Sequence, residues 1–484
     1  MSSPTLYWHD YETFGADPQR DRPAQFAGVR TDNDFTIIDE PLVVYCQLAA
    51  DSLPHPDACL ITGITPQIAA KNGVREAEFI RLIHAQLARP HTCALGYNSI
   101  RFDDEVTRNS LYRHFYDPYA REWQHGNSRW DLLDVVRAAK ALRPDGIQWP
   151  VDGLGKPSFR LEHLTAANGI GHANAHDALA DVYATIAVAK LLKTKQPKLY
   201  QFFWQHRSKY EALNLLQLGR FVPLLHVSGM YPALRHCLAV IVPLCQHPGN
   251  TNGVVVYDLA VDPTPLLSLS VEEIRQRLFT ATEALPEGTA RIPLKTVHIN
   301  KCPVLAPMSV LRPADRERLG VDLPQCQAHL AALQAAPDIA AKVAAVFAAV
   351  GDAPGVPADP DLALYSGGFF SDADKRQMAK IPTLPAETLA AARFPFADPR
   401  LPEMLFRYRA RNYPHTLSAT EAQAWRQSCV DRLTGRAGAG SLTFSAFFRQ
   451  LESLRALPDT NADVLEALAA YAADKMQALG LAAD

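Results

Sequence analysis

Two carboxylates, Asp10 and Glu12, come directly after the first apolar run of the chain. That run, residues 6–9, is short, aromatic and typical of a strand. Residues two apart on an extended chain point to the same side, so both carboxylates share one side of the strand. Cations between them would relieve their repulsion, and ligands that offer only oxygen favour Mg²⁺ or Mn²⁺. Taken alone, such a pair is more often a solvated strand end.

A second acidic pair, Asp103 and Asp104, follows a predicted buried strand at 92–96 and a turn. A carboxylate here could complete a cation site with Asp10 and Glu12. Acidic residues also favour the N-terminus of a helix, so helix capping is the alternative. One of the two carboxylates could serve both purposes.

His176 and Asp181 stand at the start of an apolar helix that is predicted at 177–192. A separation of five does not place two side chains on one face of a regular helix. The two converge if His176 precedes the helix, capped from Asn174, and Asp181 projects from its second turn. A histidine taken alone is more often a surface residue, and Asp177 is most simply a negative charge at the helix N-terminus.

The elements that must position these groups alternate over the first 195 residues. Strands are predicted at 6–9, 26–30, 36–47 and 92–96, and helices at 66–72, 75–87, 103–115, 130–142, 160–167 and 177–192. Three strands with short turns predict an antiparallel meander. The later alternation of strands and helices predicts an α/β fold, a mixed sheet with helices on its faces.

The rest of the chain contains two regions that differ in composition from the first 195 residues. Apolar, β-rich segments at 222–227, 239–243, 253–259 and 296–299, separated by Pro and Gly, predict a small β domain. From about residue 324 the sequence is Ala-rich and helical, and residues 350–360 are typical of a linker. The remainder is predicted to be mostly helical, as at 464–479. Both later regions could be purely structural.

Composition excludes several classes of protein. The 484 residues, at roughly 100–200 per domain, suggest about three domains. A net charge of −3 with 48% hydrophobic residues excludes a disordered chain and a polybasic coat protein. The eight cysteines form no Cys-x-x-Cys pair and fit small buried thiols in a reducing compartment. We see neither a secretory signal nor an apolar run of ~20 residues, so we expect a cytoplasmic protein without a membrane span.

The ordered set of these motifs resembles the DEDD exonucleases, histidine subtype, which have a ribonuclease-H-like fold. The subtype rests on His176, where the tyrosine subtype carries Tyr. The resemblance implies that Asp10, Glu12, Asp103 and Asp181 hold two Mg²⁺ ions, for which Mn²⁺ can substitute. It also implies that Glu12 lies near the terminal 3′-hydroxyl and that His176 accepts the proton of the attacking water. An imidazole that titrates near neutrality is suited to that role.

Further blocks resemble the bacterial exonuclease I family more closely than shorter DEDD relatives. They are HDYETFG at 9–15, DRPAQF at 21–26, NSRWDLLD at 127–134, NAHDALAD at 174–181, HVSGM at 226–230, HINKCPV at 298–304, GFFSDAD at 368–374 and YRARN at 408–412. The family implies an exonuclease domain at 1–195, an SH3-like domain at 196–350 and a helical C-terminal domain at 351–484. It implies a monomer that processively degrades single-stranded DNA from the 3′ end and releases 5′-mononucleotides in DNA repair and recombination.

The same resemblance implies contacts with the DNA strand. The expected contacts in and after the catalytic blocks are Arg108, Tyr119, Trp123, Arg137 and Arg160, and in the β domain they are Lys209, Asn252 and Lys295. Arg and Lys would bind phosphates and aromatic rings would stack on bases. The alternatives are solvated helix faces for the cations and core packing for Tyr119 and Trp123.

A protein partner is implied as well. The family docks the acidic, hydrophobic C-terminal tail of single-stranded-DNA-binding protein, which requires a basic rim around an apolar pocket. Arg143 and Arg312 match the rim, and Phe202 matches a wall of the pocket where the family usually has Tyr.

Three rival functions remain open from the sequence. The same chemistry could act on RNA, because discrimination depends on whether the 2′-hydroxyl fits. The chain could be an inactive scaffold for single strands, although the complete set of carboxylates argues against it. A Rossmann-like domain with unrelated surface acids would need a Gly-rich phosphate loop after the first strand, which the sequence lacks.

Overall fold

A computed structural model describes residues 4–172, 176–348, 359–436, 442–458 and 460–481. The strands are β1 Thr5–Thr13, β2 Pro23–Thr31, β3 Leu42–Cys46, β4 Gly73–Val74, β5 Thr92–Gly96, β6 Ser128–Asp131, β7 Leu224–Val227, β8 Leu238–Gln246, β9 Gly253–Asp258, β10 Leu294–His298 and β11 Val304–Pro307. The first ten helices are α1 Pro56–Thr62, α2 Pro66–Asn72, α3 Glu76–Leu87, α4 Asp103–Arg113, α5 Leu133–Leu142, α6 Leu161–Ala167, α7 Ala178–Lys195, α8 Pro197–Gln205, α9 Lys209–Leu216 and α10 Thr264–Ser268. The others are α11 Val271–Phe279, α12 Pro313–Leu319, α13 Leu323–Gln334, α14 Ile339–Phe347, α15 Asp372–Met378, α16 Ala386–Ala391, α17 Arg400–Asn412, α18 Ala419–Leu433, α19 Phe444–Arg455 and α20 Ala462–Leu479.

The chain divides into two units by its internal contacts. The first comprises Met1–Ser128, His172–Tyr183 and Pro354–Asp484, and the second comprises Arg129–Gly171 and Ala184–Ala353. In the first unit β1 pairs antiparallel with β2 and parallel with β5, β2 pairs antiparallel with β3, and β3 pairs parallel with β4. The predicted antiparallel meander and the mixed sheet are therefore confirmed.

Two apolar cores join the C-terminal helices to the rest of the first unit. Phe447 and Leu468, on α19 and α20, pack in one core with Phe14 and Leu53. Residues of α15 and α17 pack in another core with Tyr112 of α4. An ion-pair cluster adds to these cores: the guanidinium of Arg411 lies 2.7 Å from carboxylate oxygens of both Asp51 and Asp361. The C-terminal helices are therefore part of the first unit.

The second unit contains an antiparallel sheet of five strands in the order β10-β9-β8-β7-β11. Its core includes Ile241, Val254 and Val256 of the sheet and Leu216 of α9. This is the small β domain that the sequence predicts. Helices α10 and α11 interrupt it, and the last strand, β11, lies beyond the predicted segments.

Several predicted elements are wrong in extent. The strands predicted at 6–9 and 26–30 are longer, Thr5–Thr13 and Pro23–Thr31, so Asp10 and Glu12 lie within β1 and not after it. The helix predicted at 130–142 begins only at Leu133, because residues 128–131 form β6 and the Asp131 carboxylate caps the turn by accepting from the Leu133 N–H over 2.9 Å. The strand predicted at 36–47 covers only Leu42–Cys46. The Asp32 carboxylate holds a turn by accepting from the N–H groups of Asp34 and Thr36, and Pro41 precedes the strand with no N–H to donate.

Further predictions concern the cysteines, the linker, the cap of His176 and membrane-spanning helices. All eight cysteines are free thiols; seven are buried and Cys302 is partly exposed. The predicted linker at 350–360 lies mostly outside the described residues, and so does Asn174, the predicted cap of His176. Within the described ranges no single helix has both the length and the apolar composition of a membrane span; α13 and α14, bent by 88° at their junction, meet those criteria only as a pair.

Candidate active site

Strand β1 carries Asp10 and Glu12 near its end. In the register with β2, Asp10 lies opposite Ala27 and Glu12 opposite Gln25, and a bulge between Glu12 and Thr13 ends the regular pairing. Glu12 is buried. The two carboxylates interact with each other electrostatically, as the alternation of side chains along a strand predicts.

The two residues of the second acidic pair, Asp103 and Asp104, have different partners. Asp103 begins α4, is 3% exposed, and accepts a hydrogen bond of 3.0 Å from the backbone N–H of Tyr11, the residue between Asp10 and Glu12. Asp104 instead forms an ion pair of 2.6 Å with Arg121. Phe102 is the N-cap residue of α4 and supplies no side-chain cap. Asp103 therefore faces the strand that carries the first acidic pair.

His176 and Asp181 converge with Glu12. Ligand atoms of Glu12, His176 and Asp181 all lie within 4.8 Å of one another, which makes this group a possible metal site. His176 is exposed, has a left-handed backbone with φ 70°, and donates its backbone N–H to Asp181 Oδ2 over 3.2 Å. The left-handed residue turns the chain into α7, so Asp181 reaches the site from the first turn of the helix. The prediction that Asp181 projects from the second turn of this helix is therefore wrong.

The carboxylates of the site repel one another. Burial and the neighbouring Asp103, Glu12 and Asp181 raise the pKa of the Asp10 carboxyl well above its usual range. Burial, Asp181 and Asp103 raise the pKa of the Glu12 carboxyl to about 9. Burial also raises the pKa of Asp181, although its hydrogen bond with His172 acts in the opposite direction. A divalent cation would relieve this repulsion, so the residues present fit a site for such an ion.

Sequence reasoning missed two residues that support the site. His172 Nε2 lies 2.5 Å from Asp181 Oδ1, and Gln25 hydrogen-bonds both Asp177 and the backbone of Ala178 at the start of α7. Gln25 had one available signal, since it is a polar residue in the apolar strand segment 23–29 and belongs to the block at 21–26. His172 lies two residues before the block at 174–181 and carries no comparable signal.

The predicted strand contacts of the first unit differ in exposure. Trp123 is 65% exposed, so core packing is wrong for this residue. Arg108 is buried and donates to both carboxylate oxygens of Glu122 and to Glu105, so a solvated helix face is wrong for it. Its guanidinium lies 5.3 Å from the centre of the half-buried Tyr119 ring. Trp123 is the residue of this group that is open to a base.

The five DNA contacts predicted in the second unit have different surroundings. Lys209 Nζ donates to Asn252 Oδ1 over 2.7 Å. Lys295 lies 4.5 Å from the centre of the Tyr231 ring, and Arg137 donates to Asp134 over 2.5 Å. Arg160 precedes α6 and is exposed.

Both arginines of the predicted basic rim, Arg143 and Arg312, donate hydrogen bonds to one buried carboxylate. Asp315 is 1% exposed and accepts from Arg143 over 3.2 Å and from Arg312 over 2.7 Å. A third arginine, Arg318, donates to the same carboxylate over 3.2 Å. Phe202 stacks on His206 with ring centres 4.0 Å apart.

Comparison with known proteins gives concordant matches along the chain. Residues 7–189 match an exonuclease family model, 207–349 the exonuclease I SH3-like domain and 358–475 the exonuclease I C-terminal domain. Exodeoxyribonuclease I of Escherichia coli K12 is 53% identical over 422 residues, which cover 87% of this chain and 88% of that protein. The solved structure of a moderately thermophilic exonuclease I from Methylocaldum szegediense matches with a TM-score of 0.93 at 53% identity, and E. coli exonuclease I in complex with a dA16 oligonucleotide matches with a TM-score of 0.93 at 48% identity. Each of these two matches covers 98% of this chain and 100% of the other.

The mixed sheet, the acidic groups at the end of its central strand and the match over residues 7–189 define an exonuclease domain. The chain belongs to the exonuclease I family. The predicted fold class is confirmed: an α/β exonuclease domain is followed by an SH3-like domain and a C-terminal exonuclease I domain. The expectation that the protein is an enzyme of this family is confirmed as well.

Proposed function

We propose that this protein is a Mg²⁺-dependent exonuclease that degrades single-stranded DNA processively from the 3′ end and releases 5′-mononucleotides. The observation that carries the proposal is the convergence of Glu12, His176 and Asp181 within 4.8 Å, beside Asp10 and Asp103. Relatives named exodeoxyribonuclease I and a relative bound to a dA16 oligonucleotide support DNA as the substrate.

Asp10, Glu12, Asp103 and Asp181 would hold two divalent ions, since burial and mutual repulsion make these carboxylates ready to accept positive charge. When bound, the ions neutralise phosphate charge and stabilise the attacking and leaving oxygens. Mg²⁺ is preferred because all four side chains offer oxygen ligands, and Mn²⁺ would substitute.

His176 acts as the general base. Its side chain is exposed at the edge of the carboxylate group, so water reaches it directly. The imidazole takes a proton from the attacking water, and the backbone bond to Asp181 holds the residue in place. Glu12 would also lie close to the terminal 3′-hydroxyl, as the family resemblance implies.

The DNA strand would be bound by the residues that the family resemblance indicates. Trp123 is exposed enough to stack on a base, and Arg160 is exposed enough to bind a phosphate. The Lys209–Asn252 pair and Lys295 would contact the strand from the β domain. Arg108 would act chiefly by supporting Tyr119, because its guanidinium is already paired with Glu122 and Glu105.

We further propose docking of the acidic C-terminal tail of single-stranded-DNA-binding protein on Arg143 and Arg312, with Phe202 as an apolar wall. The convergence of both arginines on Asp315 supports this site, because it presents two guanidinium groups side by side. The enzyme would act as a monomer in the bacterial cytoplasm, associated with the nucleoid, in repair and recombination. We propose domains at 1–195, 196–350 and 351–484, which the three family matches at 7–189, 207–349 and 358–475 support.

One gel tests the proposed function. The protein is incubated with 5′-labelled and 3′-labelled single-stranded DNA and with matched RNA, in Mg²⁺ or EDTA, beside Asp181→Ala. We expect a Mg²⁺-dependent ladder from the 5′ label, immediate mononucleotide from the 3′ label and little RNA cleavage. Equal shortening of RNA would favour a ribonuclease, and tight binding without cleavage in Mg²⁺ or Mn²⁺ would favour a scaffold.

A further inference from the structure

Gln25 is a buried amide that connects two elements of the active site. It lies on β2 directly opposite Glu12 of β1 and is 1% exposed. Its Nε2 donates to Asp177 Oδ2 over 3.3 Å, and its Oε1 accepts from the backbone N–H of Ala178 over 3.1 Å. Both ends of one amide are therefore used at the start of α7, 152 and 153 residues further along the chain.

These contacts fix the first turn of α7. Ala178 is its first residue, and its N–H is one of the groups that have no partner within the helix. Asp177 in turn accepts from the N–H of Ala180 over 3.2 Å, and the N–H of Asp181 donates to the Asp177 carbonyl over 3.0 Å. The position of the Asp181 backbone therefore depends on a short chain of hydrogen bonds that ends at Gln25.

The site needs such a connection because its ligands repel one another. Glu12 and Asp181 belong to different elements, and each raises the free energy of the other's charged form. Without a cation, the ionised forms of these carboxylates oppose the close approach of β1 and α7. A metal site binds its ion tightly when the ligands are held in position beforehand by hydrogen bonds of the surrounding residues.

We propose that Gln25 is a positioning residue that keeps Asp181 of α7 at binding distance from Glu12 of β1 and so sets the affinity of the site for divalent cations. This inference rests on the proposed function, in which Glu12 and Asp181 are metal ligands. Gln25 itself touches neither the ions nor the DNA in this role. It acts through Asp177 and Ala178.

The test compares Gln25→Leu, which removes both hydrogen bonds at similar volume, with Gln47→Ala as a matched control. Gln47 also uses its side-chain amide to join two elements of this sheet region, because Nε2 donates to the Gly73 carbonyl over 2.9 Å, but it lies outside the site. We expect the Mg²⁺ concentration for half-maximal rate to rise ~10-fold or more in Gln25→Leu, the loss typical of removing a group that orients a metal ligand. Mn²⁺ binding without DNA, measured by the loss of the free-ion electron paramagnetic resonance signal, should weaken by the same factor. The affinity for single-stranded DNA in EDTA and the rate at saturating Mg²⁺ should stay within about threefold of wild type.

The outcomes separate this inference from the proposed function. Wild-type Mn²⁺ affinity in Gln25→Leu, with a melting temperature lowered as in Gln47→Ala, would show that Gln25 only stabilises the sheet and would overturn the inference alone. If Gln25→Leu does not fold, Asp177→Ala removes the other partner, and unchanged Mn²⁺ affinity in that variant would overturn the inference. Undiminished Mn²⁺ affinity in Asp181→Ala would overturn both the inference and the ligand assignment of the proposed function.

Discussion

The carboxylate of Asp103 accepts a hydrogen bond from the backbone N–H of Tyr11 over 3.0 Å, across 92 residues of sequence. Tyr11 separates Asp10 from Glu12, so this bond fixes the start of α4 against the strand segment that carries the first acidic pair. Asp103 thus has two roles in one side chain. One oxygen holds the strand, and the negative charge would add to the proposed cation site.

Substitution of Asp103 separates these roles. Asp103→Asn keeps an oxygen that accepts from Tyr11 but removes the charge, so we expect the rate to fall ~10²-fold or more with little change in melting temperature, because charge stabilisation of the transition state is lost. Asp103→Ala also leaves a buried N–H without a partner and should cost a further ~1–3 kcal/mol of stability. Single-turnover rates and thermal unfolding of both variants provide the measurement. Equal stability of the two variants would contradict the anchoring role.

His176→Ala tests the general base. We expect single-turnover cleavage of single-stranded DNA to slow by ~10²-fold or more, since proton transfer by a positioned side chain contributes that much. DNA binding should change little because His176 lies at the edge of the carboxylate group and carries no predicted strand contact. His172→Ala is a useful comparison because His172 bonds the same Asp181 carboxylate from another position. A rate within threefold of wild type in His176→Ala would refute the assignment.

The raised pKa of Glu12 gives the metal-free protein an unusual dependence on pH. The ordinary pKa of a Glu carboxyl is 4.5, and folding raises the pKa of Glu12 to about 9. Between these two pH values the carboxyl is protonated in the folded state and ionised in the unfolded state. The folded state then binds more protons, so stability in EDTA falls as pH rises from about 4.5 to 9. Glu12→Gln removes this contribution and, although inactive, should melt at a higher temperature than wild type.

The comparison is made by thermal unfolding in EDTA at several pH values between 6 and 9. The difference in melting temperature between Glu12→Gln and wild type should grow with pH, and Mg²⁺ should reduce it by binding the ionised wild-type carboxylates. A difference that does not depend on pH would mean that Glu12 titrates as an ordinary surface carboxyl.

The sequence predicts the chemical groups of the site better than the residues that hold them. Asp10, Glu12, Asp103, His176 and Asp181 are recognisable because the chemistry requires such residue types and because their order along the chain resembles that of the DEDD exonucleases. Gln25 and His172 are single polar residues whose partners depend on the packing of distant elements. The apolar strand around Gln25 marks it as unusual but does not indicate its partners, and no local pattern indicates His172. The same limit explains Arg108, which is predicted as a strand contact, with a solvated helix face as the alternative, but is buried between Glu105 and Glu122. The placement of α19 and α20 beside Phe14 and Leu53 likewise depends on contacts about 400 residues apart, which periodicity cannot reveal.

Arg160 is the best single test of the path of the DNA. An exposed guanidinium that neutralises one phosphate releases counterions, so Arg160→Ala should weaken binding and reduce the slope of log affinity against log salt by ~0.7. Lys156→Ala is the matched control, because Lys156 is an exposed cation four residues earlier with no predicted contact. Affinity is measured in EDTA at several salt concentrations to prevent cleavage. An unchanged slope in Arg160→Ala would remove Arg160 from the strand contacts.

The proposed partner site can be tested without disturbing catalysis. Arg143→Ala and Arg312→Ala should each weaken binding of the C-terminal peptide of single-stranded-DNA-binding protein by roughly 10- to 100-fold, because a hydrogen bond to a charged group contributes about 1.5–3 kcal/mol. Both arginines also bond the buried Asp315, so their loss could act by disturbing that carboxylate. Arg318→Ala removes the third ion pair of Asp315 and controls for this effect. Fluorescence anisotropy of labelled peptide should show weakening in the first two variants and near wild-type binding in the third, and activity on uncoated DNA should be unchanged in all three. Equal weakening in Arg318→Ala would mean that the integrity of the Asp315 cluster, rather than direct contact by Arg143 and Arg312, controls docking.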